Sequence, residues 1–155
     1  MDHPGTKYLH KDKFVRGKGL FHAIEWIPPA EPSCEDYPFL LTTGRVLYQY
    51  HTGTMSRQSS TLNEGCSECF IEINPKDAES LGIEDGDMVE VASRRGKLTT
   101  KAAVGEMTDA GTVFMPFHFF ETPVNALTLA ALDPVAKIPE YKVCAVKIEK
   151  AEQQV

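Results

Sequence analysis

The four residues Thr42-Thr43-Gly44-Arg45 combine the side chains and the backbone freedom that an anion site needs. They follow the apolar stretch 37–41, whose residue types favour a β-strand. A glycine can take φ > 0 and approach a ligand closely, and successive N–H groups in such a turn can cradle an anion. The hydroxyls and the planar guanidinium would bind phosphate or a conjugated carbonyl system. The same residues also fit a hairpin turn with a solvated arginine, and both interpretations stay open.

Polar side chains continue through the loop 42–56 after this turn. Gln49, His51 and Thr52 lie there without an apolar period that would explain them. A histidine in a loop is usually just exposed, but a hydrogen bond from an imidazole to a ligand oxygen is also open to it. Tyr48 and Tyr50 fit packing as well as they fit stacking on a ligand.

A second polar and aromatic cluster lies in the stretch 114–120 (FMPFHFF). Proline cannot donate to a strand ladder, so a strand should end at Pro116 and expose His118 and Phe119. Phe119 fits an ordinary core position equally well. Asn125 follows this cluster a few residues later.

Five separated motifs in a fixed order resemble one family. They are TTGR with its continuation to YQYHTGTMSR, EINPKDAESLGIEDGDMVEVASRRGK, GTVFMPFHF, Asn125, and IPEYKVCAVKIEK. Together they resemble the C-terminal domain of formate dehydrogenase alpha subunits, which are molybdopterin oxidoreductases. The resemblance covers roughly residues 20 to 150. Nothing in the chain resembles the family's catalytic centre, iron-sulfur cluster segment or metal-ligating residue.

The resemblance implies a cofactor and a set of contacts. The cofactor would be bis-molybdopterin guanine dinucleotide, holding molybdenum or tungsten, with no iron-sulfur cluster in this segment. No catalytic residue and no metal ligand is implied. The implied cofactor-binding residues are Thr43, Gly44, Arg45, Gln49, His51, His118, Asn125, Tyr141 and Lys142, with Phe117 beside them.

Length and composition fit one small domain. The chain has 155 residues, of which 42% are hydrophobic, so folding can bury about two-thirds of the surface of the unfolded chain. No apolar run approaches about 18 residues, so no transmembrane helix is expected, and the opening residues lack the apolar centre of a secretory signal. A net charge of −6 disfavours a nucleic-acid partner. We expect a cytoplasmic protein without a nucleic-acid or membrane partner.

The four cysteines invite a metal or disulfide interpretation. Cys66 and Cys69 have the C-x-x-C spacing of half a zinc site or a redox pair. Cys34 and Cys144 stand alone, and the stretch 70–73 reads as a strand, whereas a redox motif would open a helix. Reduced thiols are the favoured interpretation.

Short strands separated by turn signals predict a small barrel. The predicted strands lie near 38–43, 69–74, 86–94, 97–104, 111–117 and 142–149. A helix is predicted from Asn74, as its cap, through Pro75 to Gly82. At 93–97 the chain predicts a hairpin tip with Gly96 available for φ > 0 and with two solvated arginines. Residues 127–132 predict a helix turn.

This order of elements resembles half of a double-psi β-barrel, which is the fold of the family's domain. We therefore predict a mainly β chain, a double-psi β-barrel with a few short helices. Residues 1–36 would form a linker or arm rich in Lys, Gly and Pro, in which 19–26 could add a short strand. Residues 37–150 would form the cofactor-binding barrel and 151–155 a tail.

The predicted function is binding of the pterin dinucleotide as one wall of the cofactor cleft, without catalysis by this chain alone. The complete enzyme would oxidise formate to carbon dioxide by two electrons, and the partners would be the remaining domains or subunit of that oxidoreductase. Nitrate reductases and formylmethanofuran dehydrogenases share the domain and stay open as alternatives. A double-psi barrel that acts as a protein-interaction module is a further alternative. A self-contained enzyme is disfavoured because no catalytic triad, carboxylate pair or full ligand set can be assembled.

Overall fold

Six strands form a closed barrel in this computed structural model, which describes Gly5 and residues 7–151. The strands are β1 (Phe39–Gly44), β2 (Phe70–Ile73), β3 (Met88–Ser93), β4 (Gly96–Val104), β5 (Thr112–Pro116) and β6 (Cys144–Lys150). The helices are α1 (Ser60–Gly65) and α2 (Pro75–Leu81), with 3-10 turns at Ser56–Gln58 and Val124–Ala126. All six predicted strands are confirmed. The predicted fold class, a mainly β double-psi β-barrel with a few short helices, is also confirmed.

The strand pairing brings three chain segments to one end of the barrel. The order around the barrel is β1-β5-β2-β4-β3-β6. β1 and β5 run parallel with Gly44 beside Pro116, so both strands end at the same place. β6 runs antiparallel to β1 with Cys144 opposite Leu41, so β6 begins at that end. The loops after β1 and β5 and the segment before β6 therefore meet there.

Alternation along the strands builds the core. In β1 every second residue is buried, and in β3 Val89 and Val91 are fully buried while their neighbours are not. This is the pattern of strands with one face toward a packed interior. Thr43 belongs to the buried set of β1, so the predicted anion turn begins inside the barrel wall.

The helix α2 has the ends that the sequence predicts. The Asn74 side chain accepts a hydrogen bond from Lys76 N–H at 3.1 Å, and Pro75 occupies the first helical position. Gly82 ends the helix in the left-handed conformation at φ 65°. Such a cap satisfies carbonyls that the last turn of a helix leaves unpaired.

The hairpin between β3 and β4 differs from its prediction. Gly96 is not among the residues with positive φ, so the turn does not use its conformational freedom. Arg94 and Arg95 are not merely solvated, because both form ion pairs with Glu31. These contacts could not be predicted from the sequence, because Glu31 lies more than 60 residues away along the chain.

The segment before β1 forms no strand at 19–26, so that prediction is wrong. Its described residues form two isolated bridges, Phe14 with Gly17 and Cys34 with Tyr37. Leu20, Phe21 and Trp26 are exposed, since the apolar residues there find no neighbouring strand. The predicted division into arm, barrel and tail stays a prediction, and residues 152–155 of the predicted tail lie outside the described residues.

No helix in the described part of the chain is long and apolar enough to cross a membrane.

Candidate functional site

A cavity of about 590 Å³ opens at the end of the barrel where β1 and β5 end. This volume is in the range of small-molecule sites. The residues that line it are Thr43, Arg45, His51, Thr52, Phe117, Asn125, Tyr141 and Lys142. Six of the nine predicted site residues are thus brought together, from the end of β1, the loop that follows it and the long connection between β5 and β6. Gly44, Gln49 and His118 do not line this cavity.

Gly44 permits a close approach of strands. A Cβ at Gly44 would lie 2.6 Å from the ring of Phe114, a distance that real Cβ atoms do not adopt. The predicted positive φ at Gly44 is wrong, because this residue is still part of β1 and pairs with Pro116 on β5. Glycine at this position avoids a steric clash, because the backbone at the end of β1 lies close to the aromatic ring of Phe114.

The segment before β6 is tied directly to the end of β1. The hydroxyl of Thr43 donates to the carbonyl oxygen of Tyr141 at 2.7 Å. In return the ammonium of Lys142 donates to the carbonyl oxygen of Thr43 and lies 5.6 Å from the centre of the Phe117 ring. These contacts hold a cation at the mouth of the cavity.

Arg45 is exposed at the start of the loop after β1, with its guanidinium carbon 5.6 Å from the centre of the Tyr50 ring. In the described part of the chain no ion pair engages this guanidinium. Its donors are therefore available to a ligand. Tyr48 and Tyr50 are both exposed, with Tyr48 lying against Gly65 of α1.

His118 is buried, so the prediction that it and Phe119 would be exposed is wrong. Its Nε2 accepts a hydrogen bond from Val46 N–H at 3.0 Å, and its Nδ1 makes a short hydrogen bond with the carbonyl oxygen of His51. The ring is therefore neutral, with Nδ1 as the donor and Nε2 as the acceptor. Burial lowers the pKa of His118, which agrees with this state. The chain turns inward after Pro116, where the sequence suggested an exposed loop.

The ring of His118 thus bridges the two ends of segment 46–51, and His51 itself takes a strained backbone conformation at φ 51°. A non-glycine residue at positive φ persists only where surrounding contacts hold it. The bond from His118 to the His51 carbonyl is such a contact. His118 therefore shapes the loop that presents His51 and Thr52 to the cavity.

Gln49 is buried beneath the same loop. Its side-chain amide donates to the Cys66 carbonyl at 2.9 Å, and its side-chain oxygen accepts from the Ser56 hydroxyl at 2.7 Å. Ser56 in turn accepts from Tyr50 N–H at 2.9 Å. Both ends of the Gln49 amide thus form hydrogen bonds within the protein. Gln49 therefore stabilises the loop and does not face the cavity.

Asn125 lies on the 3-10 turn Val124–Ala126, and its side chain is exposed toward the cavity. The predicted helix turn at 127–132 is wrong, because the helical residues come three positions earlier. Leu127 caps this turn and is fully buried. Its carbonyl accepts a hydrogen bond from Arg95 Nε at 2.8 Å. The hairpin β3–β4 thus helps to hold the 3-10 turn that carries Asn125 in position.

Thr52 lines the cavity beside His51 but is not among the nine predicted site residues. Its position next to His51 in the polar loop is the sequence feature that indicates it. Glu31 and Arg95 gave no local signal, because the hydrogen bonds that join Arg95 to Glu31 and to Leu127 are long-range.

The four cysteines are free thiols. Cys69 precedes β2 directly, as the sequence suggested, and burial raises its pKa to about 11. Burial likewise raises the pKa of Cys144 to about 11. Within Gly5 and 7–151, no three His, Cys, Asp or Glu side chains are grouped so that they could hold a metal ion.

Comparison with known proteins gives a family and several relatives. Residues 39–145 match the family model described as "Molydopterin dinucleotide binding domain". The chain is 56% identical over 151 residues to the F420-dependent formate dehydrogenase subunit alpha of Methanocaldococcus jannaschii, a match that covers 96% of this chain and 22% of the relative. It is 41% identical over 152 residues to the assimilatory nitrate reductase catalytic subunit of Bacillus subtilis, covering 95% of this chain and 21% of the relative.

A solved structure shares the fold. Acetylene hydratase from Pelobacter acetylenicus matches with a TM-score of 0.68 at 19% identity, covering 82% of this chain and 21% of that one. The chain therefore spans about a fifth of the length of the curated relatives it matches.

The matched range runs from the first residue of β1 to the second residue of β6, so it contains the first five strands of the barrel and the start of the sixth. It also contains every residue that lines the cavity. The resemblance seen in the sequence is confirmed, and the chain belongs to the molybdopterin dinucleotide binding domain family of the molybdopterin oxidoreductases.

Proposed function

We propose that the cavity at the end of the barrel binds bis-molybdopterin guanine dinucleotide. The charge of its lining carries this proposal. The chain has 22 acidic and 16 basic residues, yet the described residues that line the cavity include Arg45 and Lys142 and none that is acidic. A cationic cavity on an acidic protein selects for an anion such as a pyrophosphate.

The proposed roles follow from the side-chain chemistry. Arg45 and Lys142 bind phosphate oxygens, Arg45 as a two-pronged donor and Lys142 as a point charge. The amide of Asn125 pairs with donor and acceptor groups on the pterin or guanine ring. His51 and Tyr141 offer further hydrogen bonds at the walls, and Thr43 holds Tyr141 through its carbonyl. Gly44, Gln49 and His118 act indirectly, because they shape the strand end and the loop that carry the contacting groups.

We further propose that the chain serves a formate-oxidising enzyme. The identity of 56% to a formate dehydrogenase subunit alpha supports this. When bound, the cofactor would supply a molybdenum or tungsten ion for two-electron oxidation of formate to carbon dioxide. The remaining domains or subunit of the oxidoreductase would be the partners and would supply the catalytic residues, and a cytoplasmic location is part of the same proposal.

Nitrate reduction is the second candidate. The 41% identity to the assimilatory nitrate reductase catalytic subunit of Bacillus subtilis favours it. Both candidates use the same dinucleotide site in this chain.

Replacement of Arg45 tests the binding role. Arg45→Ala is expected to weaken binding of the metal-free dinucleotide by about 1.5 to 3 kcal/mol, because a charge-assisted hydrogen bond is lost. This is on the order of a 10- to 150-fold rise in Kd by calorimetric titration. Arg45→Lys should recover only part of the loss, since an ammonium keeps the charge without the planar fork.

Arg16→Ala is the matched control, because it removes the same charge from an exposed position in the segment before β1. It should leave the Kd unchanged. A large fall in the Tm of Arg45→Ala together with an unchanged Kd would mean that Arg45 is a structural residue and that the proposed contact is wrong.

A further inference from the structure

Glu31 is a buried carboxylate in the segment that precedes the barrel. It accepts hydrogen bonds from Arg94 and, at 2.6 Å, from Arg95 Nη2. Burial alone would raise the pKa of Glu31, but the bonds from Arg95 and Arg94 outweigh burial and lower it. A buried charge is stable only with such partners.

The contact between Glu31 and Arg95 leads to the wall that carries Asn125. The guanidinium of Arg95 holds Glu31 through Nη2 and the carbonyl oxygen of Leu127 through Nε, at 2.8 Å. Leu127 caps the 3-10 turn on which Asn125 lies. A planar guanidinium that binds on two sides fixes the distance and angle between its partners. The position of Asn125 therefore depends on Arg95, and that of Arg95 on Glu31.

The residue before Glu31 contacts the opposite wall. The Ala30 N–H donates to the carboxylate of Glu140 at 3.4 Å, and Glu140 directly precedes Tyr141. Residue 30 thus contacts the segment that supplies Tyr141 and Lys142.

We propose that Glu31 is a positioning residue for the dinucleotide cavity, because it holds Arg95 beside the loop of Asn125 and anchors residue 30, which contacts the segment of Tyr141 and Lys142. It touches no ligand. The inference rests on the proposed function for its ligand, whereas the joining of the two walls can be tested without any ligand. The attachment of residues 30–31 to the barrel and the affinity for the dinucleotide are then coupled. Attachment should raise the affinity, and bound dinucleotide should stabilise the attachment.

Two variants separate the contacts. Glu31→Gln removes the charge that holds both arginines. Arg95 then loses its support beside Leu127, and residues 30–31 lose their attachment to the hairpin, so both walls should loosen. Arg95→Lys keeps a cation beside Glu31 but loses the Nε donor to Leu127, so only the wall of Asn125 should loosen. Glu90→Gln is the control, because it breaks an ion pair with Lys97 on the same hairpin at 2.8 Å without touching residues 30–31.

Amide hydrogen exchange on the ligand-free 155-residue chain gives the first measurement. We expect faster exchange at 124–128 and at 140–145 in Glu31→Gln, faster exchange only at 124–128 in Arg95→Lys, and no change in Glu90→Gln. The second measurement is the Kd for the metal-free dinucleotide, which should rise about tenfold in Glu31→Gln, within the usual range of coupling between sites.

Unchanged exchange at both walls in Glu31→Gln would overturn the inference, whatever the wild-type chain binds. Loosened walls with a wild-type Kd would also overturn it. Failure of the wild-type chain to bind the dinucleotide would instead overturn the proposed function, and it would leave the exchange result to decide whether Glu31 joins the walls. If Glu31→Gln does not fold, Arg95→Lys decides alone, and a wild-type exchange rate at 124–128 in that variant would contradict the inference.

Discussion

At the scale of single residues, His118 determines the shape of the loop at the cavity. One ring nitrogen accepts from Val46 N–H and the other donates to the carbonyl of His51, so the imidazole closes the loop only in its neutral form. Protonation would turn the acceptor into a donor and break the bond to Val46. A buried side chain that must stay neutral makes the loop sensitive to acid.

We expect His118 to give folding a pH dependence of known sign. Burial lowers its pKa in the folded state below the ordinary value of 6.5, so the unfolded chain binds the proton first as the pH falls. The contribution is complete above pH 6.5 and is lost below it, with a slope of at most about 1.4 kcal/mol per pH unit. His118→Gln, measured by urea unfolding between pH 7.5 and 5.5, should show a smaller slope than the wild type. Equal slopes would mean that the ring is free to charge in the folded protein.

At the scale of elements, the site depends on the close parallel pairing of β1 with β5. Gly44 pairs with Pro116, and a Cβ at residue 44 would lie 2.6 Å from the ring of Phe114. Both strands end at this pair, and the loops with Arg45 and Phe117 begin just beyond it. A shift of this strand pair would therefore move two walls of the cavity at once.

Gly44→Ala should destabilise the chain by about 1 to 3 kcal/mol, as overpacking of a core does. Gly96→Ala is the control, because its nearest contact would be an ordinary 3.8 Å and its φ is not positive. Chemical denaturation of both variants measures the difference. Phe114→Leu should relieve part of the cost when combined with Gly44→Ala. A Gly44→Ala variant as stable as Gly96→Ala would show that the strands can separate without cost.

The strands, α2 and the family could be predicted because their signals are local. The alternation around Val89 and Val91 marks a half-buried strand, and the cap at Asn74 with Pro75 and Gly82 marks the ends of a helix. The burial of His118, the pairing of Glu31 with two arginines and the exposed stretch 19–26 could not be predicted. Each depends on what lies across space from it, and single-sequence patterns contain no such information. Six site residues met at one cavity because the motif order of the family encodes the loop positions.

At the scale of the whole molecule, we propose that this chain supplies one wall of a larger cofactor site. It spans about a fifth of the length of its curated relatives. The helix α2 marks the opposite end of the barrel, where the carboxylate of Asp77 accepts from Gly111 N–H at the start of β5, at 2.7 Å. One end of the barrel thus carries the cavity. The helix α2 at the other end can serve as an internal reference in a binding experiment.

Titration of the ¹⁵N-labelled 155-residue chain with the metal-free dinucleotide tests the central claim most directly. The amide signals of residues 43–52, 125 and 141–142 should shift in a saturable manner, because these residues surround the cavity. The signals of α2 should stay in place. Saturable shifts confined to α2, or no shifts at any concentration, would contradict binding of the dinucleotide at this end of the barrel.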